Sequence, residues 1–398
     1  MSDLFVAYRN ELGRIFTLRP VFSVIVLASL IYAAVYPQPY LNEALRNVPM
    51  ALVDLDRTTS SRDLARRLDA TSDVAVAMVL PDLANAQRAV YERAAFGILV
   101  IPQHFERDLL HGRASPIALY ADASYFLIYQ RVSGAVSAVA RAFGAEIEIN
   151  RLIGIGVDAP TASAAADPLV LTAVPLFNPQ GGYGTYLLPA ALVLILQQTL
   201  LIGVGLLGTL STAQVHASNS ASRTSSASAT VSGKLLAYLT VEVAIVPFYL
   251  LGLPYLYGLP RLGSVTTILG FALPFVLSVG ALGVLVAALF RKPLVVQLVF
   301  APVGLPVFFL AGFAWPTETI PESIRLIAKL LPSTSAIDGL VKIGQLGASL
   351  FDVRGEFLTL WGLAAFYGCV AILLERRKSR AIPRARYRST IPSTVFRI

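Results

Sequence analysis

Six apolar stretches almost free of charge divide this chain, and their spacing is uneven. The first, residues 21–36, stands alone. A long, mostly polar segment follows, and five more stretches (183–210, 235–259, 262–290, 293–316 and 357–374) crowd into the second half. A helix needs about 20 apolar residues to cross roughly 30 Å of hydrocarbon. Each stretch therefore reads as a membrane span, and the fold class is a polytopic α-helical membrane protein, 1 + 5, with one large insertion between helices 1 and 2. Charged residues make up 14% of the chain, against about 25% in soluble domains. The first stretch is short, and Leu18, Arg19 and Pro20 extend it, with the Arg19 head snorkelling to the interface. A cleaved leader is the alternative for this segment, with small residues at Tyr32-Ala33-Ala34. The segment before it argues for a retained span.

The net charge of +8 sits mostly at one place: residues 375–398 carry eight Lys/Arg and one Glu, directly after a span. Basic residues there mark the cytoplasmic side, not a nucleic-acid partner. An N-terminus in the cytoplasm gives fifteen basic residues on the inner pieces and five on the short outer loops. The expected topology has both termini cytoplasmic, with residues 37–182 on the outer side. Residues 1–19 carry an amphipathic pattern. Leu4, Phe5, Tyr8, Leu12, Ile15 and Phe16 form one face, and Arg9, Asn10, Glu11 and Arg14 fill much of the rest. Such a helix lies on the inner membrane surface.

Within the insertion the period changes. Residues 48–55, 74–80, 97–101 and 117–120 read as strands. Helical patterns at 60–70, 82–93, 103–111 and 124–153 alternate with or follow them, which predicts an α/β layer with partly parallel pairing. Residues 161–167 read as a loop. Asp54 and Asp56 could bind metal or exchange protons, but a carboxylate pair at a strand end more often caps the next turn. His104 and His111 are seven apart, whereas zinc ligands sit three to five apart and need a third partner. No metal site and no catalytic set is expected.

The segment 211–234 is Ser/Ala-rich and reads as a loop, with Gln214, His216 and Arg223 as its polar candidates. Ser232-Gly233-Lys234 lacks the upstream Gly and the following Ser/Thr of a phosphate-binding loop, so no ATPase resides in this chain. Glu242 is the one ionisable residue well inside a span. A charge at depth costs roughly 2.5–3.5 kcal/mol on insertion scales. Gln197 and Gln198 are further intramembrane polar residues.

Several motifs in order resemble the permease subunit of type-2 ABC transporters, of the bacterial exporter type. They are Tyr8-Arg9-Asn10-Glu11-Leu12-Gly13-Arg14-Ile15 with Arg19-Pro20, Val53-Asp54-Leu55-Asp56-Arg57-Thr58, Ile101-Pro102-Gln103-His104-Phe105-Glu106, and Gly233-Lys234. The last is Gly312-Phe313-Ala314-Trp315-Pro316 with Ile320-Pro321 and Leu331-Pro332-Ser333-Thr334. The Ser/Ala-rich loop departs from the Arg/Glu-rich stretch usual in that family. The resemblance implies an exporter of a drug-like, lipid or envelope substrate, energised by a separate cytoplasmic ATPase that holds the ATP and magnesium. It implies a second permease subunit (homo- or heterodimer), contact with membrane lipid, and a periplasmic adaptor with an outer-membrane channel. Coupling is expected at Glu11, Arg14, Gln214, His216, Arg223, Gly233 and Lys234, and an outer gate at Trp315, Pro316, Pro321 and Pro332, in the half-helix region 317–355 and the residues just before it. In that gate Pro321 is expected in the first turn of one half-helix, Pro332 at its end, and a second half-helix over 335–346. The rival expectation is a non-transporting scaffold or receptor whose periplasmic domain binds a ligand.

Overall fold

Two units make up the protein: residues 44–175, and residues 1–43 together with 176–398. The structure, a computed structural model, describes residues 2–41, 45–169, 171, 174, 176–178, 181–217, 226–290, 292–312, 315 and 317–388. It gives backbone alone at 2, 211–217 and 378–388.

The first unit is an α/β layer. Strands β1 (Val48–Asp54), β2 (Val74–Val79), β3 (Gly97–Ile101) and β4 (Ala118–Ala121) form one sheet in the order β2-β1-β3-β4. β1 is parallel to β2 and β3, and β4 is antiparallel to β3. β1 is apolar on both faces because both are covered. On one face Val48, Met50, Leu52, Leu99 and Ile101 pack against Leu64 and Leu68 and against Val132, Val136 and Phe143. These come from helices in the segments Thr59–Asp69 and Phe126–Gly154. On the other face Ala51, Val53 and Ile98 meet Ala86 and Ala89 of the helix Leu83–Tyr91.

The predicted strands and helices form within a residue or two of their expected ends. One segment differs: residues 161–167 are not a loop, because Ala159–Ala166 is helical. Asp158 accepts from Thr161 N at 3.2 Å, Pro160 suits the first turn, and the alanines that follow are the best helix formers.

Among the described residues of the membrane unit, six helices are long and apolar enough to cross a bilayer. In chain order the helices of this unit are α1 (Ser2–Thr17), α2 (Arg19–Tyr40), α3 (Tyr183–Ala217), α4 (Ala227–Leu256), α5 (Val265–Leu289), α6 (Pro293–Leu310), α7 (Glu322–Ala328), α8 (Pro332–Leu346) and α9 (Arg354–Arg388). α3 is the most deeply buried and packs on α5, α6 and α8. Small residues permit these close crossings, as expected where lipid supplies no hydrophobic drive. Gly203 of α3 abuts Ile25 of α2, and Gly283 of α5 lies against Val204. Wide π turns interrupt α2 at Ser23–Leu27 and α4 at Phe248–Gly252. The second follows Pro247, which lacks the N–H that a regular turn would use. Tyr249 Oη, within the second turn, donates to the carbonyl of Ser29, just past the first, at 2.5 Å and so joins α4 to α2.

Several boundaries differ from the sequence reading. α3 runs on to Ala217 and α4 begins at Ala227, so both flanks of the 211–234 segment are helix rather than loop. Alanine, threonine and serine there tolerate helix once an apolar helix extends into them. The fifth span ends at Leu310, short of 316, with Gly312 at φ +79° just beyond. Pro321 is the residue before α7, not in its first turn, and Pro332 opens α8 instead of only stopping α7. Proline fits that opening position because its missing N–H would be unpaired anyway. The sixth span continues as helix through Arg388, well into the basic tail.

Candidate functional site

The junction of α1 with α4 gathers four of the residues singled out in the sequence. Gly233 sits where the two helices cross. A Cβ at this position would stand 2.7 Å from the Leu4 carbonyl oxygen, 2.8 Å from Ala7 Cβ and 2.9 Å from Tyr8 N. Only glycine permits that approach. One and a half turns along α4, Tyr238 Oη donates to Glu11 Oε1 at 2.5 Å, and both side chains are buried. Arg14 lies on the same face of α1, 4.0 Å from Glu11 Oε2. Thr240 Oγ1 donates to Tyr8 Oη at 3.3 Å, and Lys234 is half-buried next to Gly233.

The packed stripe of α1 is therefore Leu4, Ala7, Tyr8, Glu11 and Ile15, and Phe5 (61% exposed) and Phe16 (57%) point away from it. The sequence reading put Glu11 and Arg14 on the opposite, polar face. The face is rotated because a buried carboxylate is tolerated once a donor reaches it. A hydrogen bond to a charged group contributes about 1.5–3 kcal/mol. Glu242 lies one turn beyond Tyr238 and is 2% exposed, deep in the same helix. Gln214 and His216 fall on the α3 extension, where only backbone is described, and Arg223 lies outside the described residues.

A second set ties down α7 and α8. α8 has fifteen residues, a length of about 22 Å at 1.5 Å per residue, too short to span. The residue before it, Leu331, offers no capping side chain. Gln197 of α3 caps it from outside: its Oε1 accepts from Ser333 N at 2.7 Å and its Nε2 donates to Ser333 Oγ at 2.9 Å. One amide thus satisfies an open helix-end donor inside the membrane unit. Tyr367 Oη of α9 donates to the Leu330 carbonyl at 2.5 Å, and Thr334 Oγ1 donates to the Ala328 carbonyl at 2.7 Å.

The far end of α8 is held as well. Gln345 Nε2 donates to the Thr185 carbonyl, and Lys342 Nζ reaches Asp338 Oδ2 at 2.9 Å and Glu356 Oε1 at 2.8 Å. Burial pushes the Asp338 carboxyl up from its ordinary value, against the pull of Lys342. Gln198 differs from its neighbour. Its Oε1 is buried with no hydrogen-bond partner among the described residues, and its amide fills the space left by Gly304 of α6. Trp315 is 56% exposed, and Pro316 lies outside the described residues.

In the α/β unit the acidic pair after β1 is a turn. Asp54 Oδ1 accepts from Asp56 N (3.1 Å) and Arg57 N (2.9 Å), and its Oδ2 from Ser61 Oγ (2.8 Å). Asp56 Oδ2 accepts from Thr58 Oγ1 (2.7 Å) and Glu106 N (3.0 Å). His111 Nδ1 meets the Arg107 carbonyl at 2.7 Å. Among the described residues no cluster of His, Cys, Asp or Glu could hold a metal ion.

Sequence reasoning missed Tyr238, Ser333, Tyr367 and the Lys342 cluster. A signal existed for Ser333, since Pro-Ser-Thr is a helix opening. None existed for Tyr238 or Tyr367, whose partners depend on how the helices cross. The family model described as "ABC-2 family transporter protein" matches residues 15–373. No curated protein matches the chain. The match takes in α2, the α/β unit and the later spans, together with the α4 side of the α1–α4 junction and the whole α7–α8 hairpin; the α1 residues Leu4 to Arg14 precede it. The chain belongs to the ABC-2 transporter family, as a multi-pass membrane permease of the kind that works with an ATPase partner subunit.

Proposed function

We propose that the protein exports a drug-like, lipid or envelope substrate from the cytoplasm or inner membrane of a bacterium. A separate cytoplasmic ATPase drives it and carries all the ATP chemistry, and this chain is not itself an enzyme. The α1–α4 junction carries the reading. α1 is fused to a span through Gly233 and the Glu11–Tyr238 bond, so a push on α1 moves α4 with it. The basic pieces near α1 and after α9 support cytoplasmic termini and an α/β unit on the periplasmic side. In that orientation Phe5, Val6 and Phe16, exposed on α1, dip into the inner leaflet.

The ATPase docks on α1 and on the 211–234 segment. A second permease subunit completes the pathway, and ATP binding draws the inner ends together. At the outer end the α7–α8 hairpin is the gate, poised by Gln197 from α3, the most buried helix. The α/β unit receives substrate or docks an adaptor that leads to an outer-membrane channel. Inverted membrane vesicles test the direction. ATP should drive uptake of a fluorescent amphiphile into them, and Gly233→Val should cut the rate at least tenfold at equal protein level. Uptake that is unaffected by Gly233→Val removes the junction from the mechanism.

A further inference from the structure

The two faces of the α/β sheet are covered unequally. One face is closed by the helices Thr59–Asp69 and Phe126–Gly154. Among the described residues the other carries the helix Leu83–Tyr91, which packs chiefly on β1 and β3. Between the C-terminal end of that helix and β4 lies an open cavity of about 410 Å³, within the size range of small-ligand sites. Val90 and Ile98 form its floor. Gln87, Tyr91, Arg93, Tyr120 and Asp122 form its walls. Tyr91 is 81% exposed and Tyr120 51%, so each offers a free ring face.

Arg93 is held there against a backbone preference. It follows the helix end with φ +59°, in the left-handed region where glycine is usual. Its N–H bonds to the Val90 carbonyl at 3.0 Å, and the next N–H, of Ala94, to Ala89 at 2.9 Å. The guanidinium pairs with Asp122 and lies 5.0 Å from the centre of the Tyr125 ring. Asp122 is fixed in turn by Ser124 N at 3.0 Å and Ser124 Oγ at 2.6 Å. An arginine in a costly backbone conformation, oriented by a carboxylate and an aromatic ring, is a built feature.

The chemistry of this cavity selects among ligands. Arg93 is neutralised by Asp122, so neither an anion nor a cation is favoured. The floor is small for an apolar ligand. What remains is a pair of exposed aromatic faces flanked by a planar amide, guanidinium N–H donors and a carboxylate acceptor. Aromatic rings stack on the C–H faces of pyranoses, and planar polar groups bond pairs of neighbouring hydroxyls. We propose that this cavity binds a neutral saccharide, with a pyranose ring stacked on Tyr91 or Tyr120 and its hydroxyls bonded to Gln87, Arg93 and Asp122. The inference does not depend on export, because binding is read on protein without ATP.

The test uses the full chain in lipid nanodiscs prepared with a non-glycosidic detergent, titrated calorimetrically with chitotetraose, maltotetraose and tetraalanine. Saturable binding of at least one tetrasaccharide is expected. Gln87→Ala and at least one of Tyr91→Ala and Tyr120→Ala should weaken it at least fivefold with an unchanged melting temperature, since all three side chains are exposed. Absence of saturable saccharide binding up to millimolar concentration overturns the proposal. So does binding that all three variants leave intact, or binding of tetraalanine in place of both sugars.

Discussion

At the residue scale, the Glu11–Tyr238 bond is the sharpest handle on the membrane unit. Tyr238→Phe removes one hydroxyl and leaves a buried carboxylate without its donor. The expected loss is about 1.5–3 kcal/mol of local stability. Backbone hydrogen exchange in α1 should then quicken by roughly ten- to a hundredfold, while exchange in α5 stays constant. Equal exchange in the variant and the parent would show that the Glu11–Tyr238 bond does not hold α1 in place.

Asp56 gives a residue-scale prediction with pH. Burial works to raise its carboxyl, but the Glu106 N–H and the Thr58 hydroxyl outweigh this and hold it below the ordinary carboxylate value. A depressed folded value contributes stability that is present above the unfolded value, near 4. That stability is lost as pH falls through the folded value. Protection of the first turn of the helix Thr59–Asp69 should fall as the solution is acidified below about pH 4. The step should vanish in Asp56→Asn, and exchange measured across the titration reads it. Glu11 and Gly233 stand out in the sequence because a motif surrounds them. Tyr238 does not, because nothing in local spacing says which face of α4 meets α1.

At the element scale, α8 depends on a cap supplied by another helix. Gln197→Ala should expose the Ser333 N–H inside the membrane unit, at a cost of about 1–3 kcal/mol. The first turn of α8 should then lose exchange protection by about one order of magnitude or more, and the change should be confined to the α7–α8 hairpin. Restoration by Gln197→Asn is not expected, since the shorter side chain falls short of Ser333. Protection unchanged in Gln197→Ala would mean that the hairpin is set by Tyr367 and the Lys342 cluster.

Elements with a strong period were legible in the sequence. β1 to β4 alternate or run apolar, and α3 to α6 and α9 are long and apolar. Elements that begin by capping were harder. Thr58 and Ser61 form a reciprocal capping box that opens the helix Thr59–Asp69, and residues 161–167 read as a loop until Asp158 is seen to close the first turn of Ala159–Ala166. The helical flanks of 211–234 were missed for the same reason, since serine and alanine say little about where an apolar helix stops.

At the scale of the whole molecule, the uneven 1 + 5 plan was legible because hydrocarbon thickness sets helix length regardless of packing. The face each span turns to its neighbours was not, because lipid and protein interiors are equally apolar. Hence the sequence reading could rank Gln197 and Gln198 only as intramembrane polar residues. Packing separates them into a helix cap and an unpartnered carbonyl facing α6. The same plan joins the candidate sites into one account, in which a partner ATPase acts on α1 and the hairpin answers at the other end of α3.

That account stands on whether the α1–α4 junction holds the ATPase. The direct measurement is vanadate-sensitive ATP hydrolysis, per mole of permease, in material purified through this chain from its native membranes under mild detergent. The parent protein and Arg141→Ala, altered only at an exposed position of the α/β unit, should carry equal activity, and Gly233→Val should retain a tenth of it or less. Equal activity in Gly233→Val, with the protein folded and at equal yield, would contradict the central claim.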